Sequence, residues 1–263
     1  VHTRSIAAGQ LGLNATVDLG AFGSTATQNT LVLVDGRRLN PIDSSDITWA
    51  SIPLSEIERI EIASGSAAVQ YGAGTSGGVI NVITNSNLSD ITKVEMKAGS
   101  YGTAIMDVNL NRNIGDYTVG LNANAAHSDG WRENSQAQSH NVSLKVKRDL
   151  GSHGFLFAEV QDGQQTNGFP GGVLGKVGEG DQRAVKFNNV GAENTTDQTV
   201  LRLGGFAVLS GNTSLDADLV LGHKNSDFKQ PYYDTADSVV NVTPWGYVTG
   251  AGASHLNGHD VSF

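Results

Sequence analysis

The sequence predicts an antiparallel membrane β-barrel, incomplete in this chain, preceded by a small α/β unit. From about residue 91 onward, apolar and polar residues alternate over long stretches, as in 117–124. The connections between these stretches are alternately short and long. Before residue 91 the pattern differs, because short continuous apolar runs such as Leu31–Val34 are separated by turn residues. These observations predict two kinds of structure along one chain.

The alternation has a period of two, which is typical of strands with one apolar and one polar face. In the sequence 142–147, for example, Val142, Leu144 and Val146 alternate with Ser143 and two lysines. Charged residues on the polar face would be costly against lipid, so this face is predicted to line the barrel interior. The charged residues on this face are Lys93, Glu95, Lys145, Lys147 and Asp218.

The connections are predicted to be sorted by side. Every second one is short: Asn111–Asp116, Asp149–Gly154 and Ser210–Thr213. The intervening ones lengthen along the chain: Gly99–Gly102, His127–His140, Gln161–Asp197 and about His223–His255. Short turns on one side and long loops on the other are typical of outer-membrane barrels. No apolar run reaches the roughly 18 residues of a transmembrane helix.

The N-terminal region predicts a mixed α/β unit. Leu31–Val34 reads as a strand buried on both faces, and Asp35-Gly36 after it is a turn signal. A half-buried strand is predicted where Ile60 and Ile62 alternate with charged residues, and another strand over Val79–Thr84.

Composition and motifs argue against several functions. The 263 residues include no cysteine, which excludes thiol chemistry. The net charge of −9 argues against nucleic-acid binding, because phosphate binding requires clustered Lys and Arg. The sequence 72–77 matches G-x-G-x-x-G but precedes a strand rather than following one, so a turn is favoured over a nucleotide site. His255 and His259 are four residues apart, but no Glu or Cys accompanies them and Asn257-Gly258 breaks any helix between them. Loop or strand-end histidines are therefore favoured over a metal site. We expect no enzyme activity, cofactor or metal.

Three ordered segments resemble the plug domain of TonB-dependent outer-membrane receptors. They are NTLVLVDGRRLN (29–40), SIPLSEIERIEIASG (51–65) and YGAGTSGGVINVITN (71–85). The resemblance implies a plug domain over 1–88 and the first strands of the transmembrane β-barrel over 89–263. Roughly eight strands fit the second region, whereas barrels of this class have about 22, so the chain is expected to be part of a larger barrel.

The resemblance implies a transport receptor in the outer membrane of a Gram-negative bacterium. Such a receptor binds a scarce nutrient, most commonly a ferric siderophore, and imports it actively for iron uptake. The inner-membrane protein TonB would pull on an N-terminal box that is expected to precede residue 1. The other implied partners are the lipid bilayer, lipopolysaccharide and the nutrient ligand, and no nucleic acid.

Two departures from the family pattern bear on how the plug is held. Gly20-Ala21-Phe22 stands where Arg-Gly-Phe is usual, and 64–66 reads Ser-Gly-Ser where Arg-Gly-Pro is usual. Both missing arginines belong to a family cluster of plug–barrel ion pairs. Glu58, Arg59 and Glu61 remain as the predicted plug–barrel contacts, and the docking is expected to be weaker or differently built.

Candidate ligand residues are chosen by position on loops expected to face outward. In the plug they are Asn40, Asp43, Ser44 and Trp49, and on the barrel loops Trp131, Phe169, Tyr232, Tyr233, Trp245 and Tyr247. Exposed aromatic side chains suit recognition of planar or sugar-like ligands. Trp131 and Trp245 fit an aromatic girdle at the membrane interface equally well.

The sequence is also compatible with two alternatives. The cargo of the same receptor class could be cobalamin, haem or an oligosaccharide. A secreted β-rich adhesin or binding protein is the alternative class, and it would require an internal repeat of fixed period, which the sequence does not show.

Overall fold

The structure is a computed structural model, and it describes residues 2–5, 15–40, 47–52, 57–65, 71–84, 90–171, 181–184, 189–210, 213–232 and 250–262. These residues form a two-stranded sheet, a four-stranded sheet and an eight-stranded sheet. No helix in the described ranges is long and apolar enough to cross a membrane.

The strands of the N-terminal unit, in chain order, are β1 (His2–Ser5), β2 (Ala15–Asp18), β3 (Thr30–Val34), β4 (Arg37–Arg38), β5 (Ile57–Ser64) and β6 (Gly78–Thr84). A short helix α1 (Ala26–Asn29) precedes β3, and 3₁₀ turns span Gly23–Thr25 and Trp49–Ser51. The strands of the large sheet are β7 (Ile91–Ala98), β8 (Ala104–Ile114), β9 (Tyr117–Ser128), β10 (Ala137–Asp149), β11 (Gly154–Gly168), β12 (Glu193–Ser210), β13 (Thr213–Tyr232) and β14 (Gly250–Ser262).

The core of the N-terminal unit is built on β3, as the continuous apolar run predicted. The four-stranded sheet has the order β4-β3-β6-β5, with β3 and β6 parallel. All five residues of β3 are buried. Val32 and Val34 pack into the larger apolar cluster, whereas Leu31 and Leu33 pack with Val79 on the other side. Burial on both faces explains why this strand does not alternate in polarity.

The turn after β3 is held from inside the unit. Asp35 and Gly36 both have positive φ, at 49° and 79°, as a tight hairpin turn requires. The two carboxylate oxygens of Asp35 accept hydrogen bonds from the backbone N–H and the hydroxyl of Thr84, at 2.8 and 2.6 Å. The carboxylate is therefore committed to β6, and the turn is fixed relative to the sheet.

One sequence expectation for this unit needs correction. The strand around Ile60 and Ile62 exists as β5, but it is not half-buried, because these side chains are 54% and 50% exposed. β5 lies at the edge of the four-stranded sheet and pairs with β6 alone among the described strands. Its alternation therefore reflects two exposed faces in this chain rather than one buried face.

The large sheet is an antiparallel meander in which each strand pairs with its sequence neighbours, from β7 at one edge to β14 at the other. The strand ends that flank the short connections 115–116, 150–153 and 211–212 lie at one end of the sheet. The strand ends that flank 99–103, 129–136, 169–192 and 233–249 lie at the opposite end. The predicted sorting of connections by side is thus observed.

Several strands are longer than the sequence predicted. Gln161–Asp197 was expected to be one connection, yet β11 continues to Gly168 and β12 begins at Glu193. Paired polar residues extend the strands here without an apolar face to mark them. β13 has 20 residues, which at roughly 3.3 Å each is about twice a hydrocarbon core of ~30 Å.

The register of the large sheet separates polarity by face. Six residues on consecutive strands stand directly opposite one another on the outward face: Leu110, Leu121, Leu144, Val160, Leu201 and Leu221. On four of these strands a residue adjacent to the row points to the opposite, inward face, and these residues are also in register: Asn109, Asn122, Ser143 and Gln161. Leu144 and Val160 are 42% and 44% exposed, whereas the neighbouring Ser143 and Gln161 are 8% and 6% exposed. This distribution is the reverse of that in a water-soluble sheet.

The boundary between 1–88 and 89–263 stays a prediction. The gap between β6, which ends at Thr84, and β7, which begins at Ile91, is compatible with it. Residues 85–89, which would contain the boundary, lie outside the described residues.

Replacing Asn40 should destabilise the N-terminal unit. Its buried amide accepts a hydrogen bond from the N–H of Val32 (2.7 Å) and donates to the carbonyls of Thr27 and Thr30 (both 2.9 Å). Asn40→Ala leaves these buried groups unpaired, so we expect a loss of about 2 kcal/mol in the free energy of unfolding. Denaturant unfolding followed by Trp49 fluorescence, with Trp131 and Trp245 replaced by phenylalanine, measures this.

The matched control is Gln28→Ala, because Gln28 is exposed on the neighbouring helix α1. We expect it to change the unfolding free energy by less than about 0.5 kcal/mol. Equal unfolding midpoints for the two variants would contradict the structural role of Asn40.

Candidate functional site

The contact zone between the N-terminal unit and the inward face of the large sheet is polar. A cavity lies between them, and both sides contribute polar groups to its lining. The N-terminal unit supplies Val34, Asp35, Arg37, Ser51 and Thr84, and the sheet supplies Asn122, Asn141, Ser143, Lys145, Glu159, Gln161 and Arg202. Such a surface can be solvated on either side, since it has hydrogen-bonding groups in place of an apolar seal.

Arg202 is the central charged group of this contact zone. It lies on β12, is 8% exposed, and its Nε donates to both carboxylate oxygens of Asp218 on β13, at 2.9 and 2.7 Å. Its Nη2 also bonds Asp218 and donates to the backbone carbonyl of Asp35 at 3.3 Å. The guanidinium carbon lies 5.0 Å from the ring centre of Phe157. The ion pair and the ring thus orient Arg202 toward the turn after β3.

Gln161 bridges two segments of the N-terminal unit. Its Nε2 donates to the carbonyl of Ser51 at 2.7 Å, in a buried position, and its Oε1 accepts a hydrogen bond from Arg37 at 3.5 Å. Burial lowers the pKa of Arg37, while Glu159 acts against this effect and the charge of Arg202 adds to it. Arg37 therefore lies where its positive charge is less favourable than it is in water.

A second network lies at the long-loop end of the sheet, where it joins the 129–136 connection to the 169–192 connection. Arg132 donates to the carbonyls of Gly171 at 2.6 Å and Ala184 at 2.7 Å. In return, Nε of Arg183 donates to the carbonyl of Trp131 at 3.0 Å. We call this network the rim clamp.

Asn134 completes the rim clamp. Its Nδ2 lies within hydrogen-bond distance of three backbone carbonyls, those of Phe169 (3.1 Å), Asn189 (2.8 Å) and Ala192 (2.9 Å). Asn134 has a positive φ of 55°, which asparagine tolerates better than most residues. One short turn therefore fixes both described ends of a much longer connection.

The rim clamp brings together two of the predicted ligand residues, Trp131 and Phe169. Each lies on one of the two joined connections, and each is half-buried. The ring of Phe169 packs edge-to-face against Phe228 of β13, with ring centres 5.5 Å apart. Phe169 thus has a structural contact of its own, and a ligand role for either residue stays a prediction.

The plug candidates have different surroundings. Trp49 begins the 3₁₀ turn that contacts β10 and β11, and its side chain packs against the apolar cluster of the N-terminal unit. Asn40 is 7% exposed, and its amide is used in the hydrogen bonds described above. These positions support roles in holding the fold, and a ligand role for Trp49 or Asn40 stays a prediction.

Five of the remaining ligand candidates lie outside the described residues: Asp43, Ser44, Tyr233, Trp245 and Tyr247. Tyr232 is the last residue of β13, so its backbone position at the long-loop end is known.

The predicted plug–barrel contacts Glu58, Arg59 and Glu61 lie on β5, and all three are exposed. Arg59 binds Glu61 at 2.8 Å and Glu58 at 3.2 Å, and the partnership with Glu61 raises the pKa of Arg59. The described hydrogen bonds between the N-terminal unit and the large sheet involve other residues of the unit. The carbonyls of Asp35 and Ser51 accept them, and the guanidinium of Arg37 donates one. A docking role for β5 stays a prediction.

Sequence reasoning did not find Arg202, Gln161, Arg132 or Asn134. Arg202 had a weak signal, since it is a cation at an inward position between Leu201 and Leu203. The other three had none, because their roles depend on backbone carbonyls far away in sequence. Among the described residues, no group of three or more His, Cys, Asp or Glu side chains could hold a metal ion.

Comparisons with known proteins agree with this geometry. The family model "TonB-dependent Receptor Plug Domain" matches residues 3–79. The ferric enterobactin receptor of Pseudomonas aeruginosa is 30% identical over 164 residues, 55% of this chain and 22% of that protein. The ferrienterobactin receptor of Escherichia coli K12 is 36% identical over 94 residues, 31% of this chain and 12% of that protein. The chain thus spans about a fifth or less of these relatives.

Solved structures share the fold at low sequence identity. The ferric citrate transporter FecA has a TM-score of 0.70 and 15% identity, covering 88% of this chain and 36% of that one. The ferric-catecholate import receptor Fiu of E. coli K12, in its open form, has a TM-score of 0.64 and 17% identity, covering 93% and 38%. Residues 3–79 therefore match a TonB-dependent receptor plug domain, and the chain as a whole has the fold of such a plug followed by antiparallel strands of a receptor β-barrel.

Proposed function

We propose that this chain belongs to an outer-membrane active-transport receptor that imports a ferric siderophore. The observation that carries the proposal is the reversed polarity of the large sheet. Its outward row from Leu110 to Leu221 is apolar and largely exposed, while inward residues such as Gln161 are polar and buried against the plug. A sheet of this kind is stable when lipid contacts its outer face and a polar plug fills its interior.

The siderophore assignment is supported by the relatives. Two of them are named as receptors for ferric enterobactin, and two of the structural neighbours are named for ferric citrate and ferric catecholates. Trp131 and Phe169 at the rim clamp are the described residues that we propose for ligand contact. The proposal assigns no catalytic step and no resident cofactor to the chain.

The same proposal implies location and partners. The receptor lies in the outer membrane of a Gram-negative bacterium, with its long-loop end outward and its apolar row in the bilayer. Lipopolysaccharide contacts the outward face above that row, and TonB supplies the force that displaces the plug. These partners follow from the receptor class and from the exposed apolar face.

An uptake assay tests the function. Cells that express the receptor from its native gene and cells that lack the gene are compared for uptake of radiolabelled iron bound to enterobactin and then to other siderophores. We expect uptake that depends on both the receptor and TonB. If the receptor adds no uptake of any ferric siderophore, and its loss leaves growth under iron limitation unchanged, the cargo assignment is wrong.

Placing a charge on the outward face should prevent membrane assembly. Leu121 is the second of the six residues of the apolar row, and an arginine in its place would face lipid, which costs about 2–4 kcal/mol near the bilayer midplane. Thr118, on the same strand, points inward, and its hydroxyl bonds Asn113. Heat-modifiable migration of the receptor in outer-membrane fractions should fall for Leu121→Arg and persist for Thr118→Arg. Equal tolerance of both changes would reverse our assignment of the faces.

Releasing the rim clamp should weaken ligand binding. Arg132→Gln removes the guanidinium bonds to Gly171 and Ala184, so the 169–192 connection must be ordered when ligand binds. We expect the Kd for ferric enterobactin to rise about tenfold, equivalent to ~1.4 kcal/mol. Quenching of tryptophan fluorescence in the purified receptor measures this value.

The matched control is Arg148→Gln, because Arg148 is an exposed cation at the opposite, short-turn end of the sheet, above the ring of Tyr117. It should leave the Kd unchanged. An unchanged Kd for Arg132→Gln as well would remove the rim clamp from the ligand site.

A further inference from the structure

The contact between the plug and the wall contains an ion pair whose two members both belong to the wall. Here the wall is the inward face of β7–β14. The ion pair of the contact zone joins two wall residues, Arg202 and Asp218, rather than one plug residue and one wall residue. The plug meets this pair with a neutral group, the backbone carbonyl of Asp35.

Because the pair lies within the wall, it persists when the plug moves away. Arg202 would lose one hydrogen bond to the Asp35 carbonyl, which water can replace, and would keep Asp218 as its counter-ion. Removing one partner of a buried ion pair is costly because it leaves an uncompensated charge. Plug release at this point avoids that cost, since no ion pair is separated.

On the plug side of the contact, Arg37 and the turn after β3 also keep no ion pair with the wall among the described residues. Arg37 hydrogen-bonds the neutral amide oxygen of Gln161 at 3.5 Å. Burial and the charge of Arg202 lower the pKa of Arg37, whereas the charges of Glu159 and Asp218 act in the opposite direction. Moving into water would relieve the burial of Arg37, and it would separate Arg37 from wall charges of both signs. The turn itself remains intact on release, because the Asp35 carboxylate is bound to Thr84 within the plug.

We propose that Arg202 and Gln161 form a self-compensated latch on the wall, which holds the plug through the Asp35–Arg37 turn and the Ser51 carbonyl and releases it without separating an ion pair. Arg202 and Gln161 bind the plug directly. Asp218 and Phe157 are positioning residues, since they orient the guanidinium without a described contact to the plug. The proposal rests on the proposed transport function, in which the plug must leave the wall.

Hydrogen–deuterium exchange of the intact receptor in membranes tests the latch. The reporter is the peptide covering 30–40, which contains β3, the turn and β4, and the barrel control is the peptide covering 137–149 of β10. We expect Arg202→Gln to accelerate exchange at the turn about tenfold and to leave β10 unchanged. Gln161→Leu should give the same pattern, because its described bonds go to Arg37 and Ser51 of the plug.

Lys147→Gln is the matched control for these variants. Lys147 is another inward-facing cation, placed 4.4 Å above the ring of Phe155, with no described bond to the plug. Exchange at the turn should stay at the wild-type rate in this variant. Turn exchange that is the same in Arg202→Gln, Gln161→Leu and wild type overturns the latch, as does an equal acceleration in Lys147→Gln.

Two further results would separate a failure of the latch from a perturbed barrel and from a failure of the transport function. If Arg202→Gln also accelerates exchange in β10, the barrel is perturbed, and Gln161→Leu alone decides between confirmation and rejection. Uptake by the wild-type receptor is measured in parallel. An absence of uptake contradicts the proposed function, whereas unchanged turn exchange beside normal uptake contradicts the latch alone.

Discussion

The structure depends on the register of the large sheet. Every strand pairs with its neighbour so that Leu110, Leu121, Leu144 and their successors face one way while Asn122, Ser143 and Gln161 face the other. A slip of one residue at any pairing would turn lysines and amides outward, and leucines toward the plug. The backbone groups inside the sheet are paired between strands, which is the condition for a sheet that contacts lipid.

This register also determines how the plug is held. An inward face rich in amides and hydroxyls cannot be sealed by apolar packing, so the plug meets it through hydrogen bonds around a polar cavity. The apolar core of the plug is separate and centred on β3, where all five residues are buried. The plug can therefore keep its own fold while its contact with the wall changes, since the two depend on different interactions.

The long-loop end follows a related rule. Connections outside the sheet cannot satisfy their backbone carbonyls by strand pairing, and here the side-chain nitrogens of Arg132 and Asn134 lie within hydrogen-bond distance of five of them. A turn of a few residues thereby orders the ends of the 169–192 connection. The long-loop end is held by hydrogen bonds from side chains to backbone carbonyls, whereas the sheet itself is held by backbone pairing between strands.

Local patterns of period and turn chemistry in the sequence are enough to predict the faces of the strands, the sorting of the connections, the buried strand at Leu31–Val34 and the turn at Asp35-Gly36. Other features depend on contacts between distant segments. These are the burial of Asn40, the exposure of β5 and the continuation of β11 through polar residues to Gly168. The choice of the inward polar residues that meet the plug depends on such contacts as well. The bond between Arg202 and Asp35 joins positions 167 residues apart, and their proximity depends on the register of the strands and the position of the plug, which no local pattern encodes.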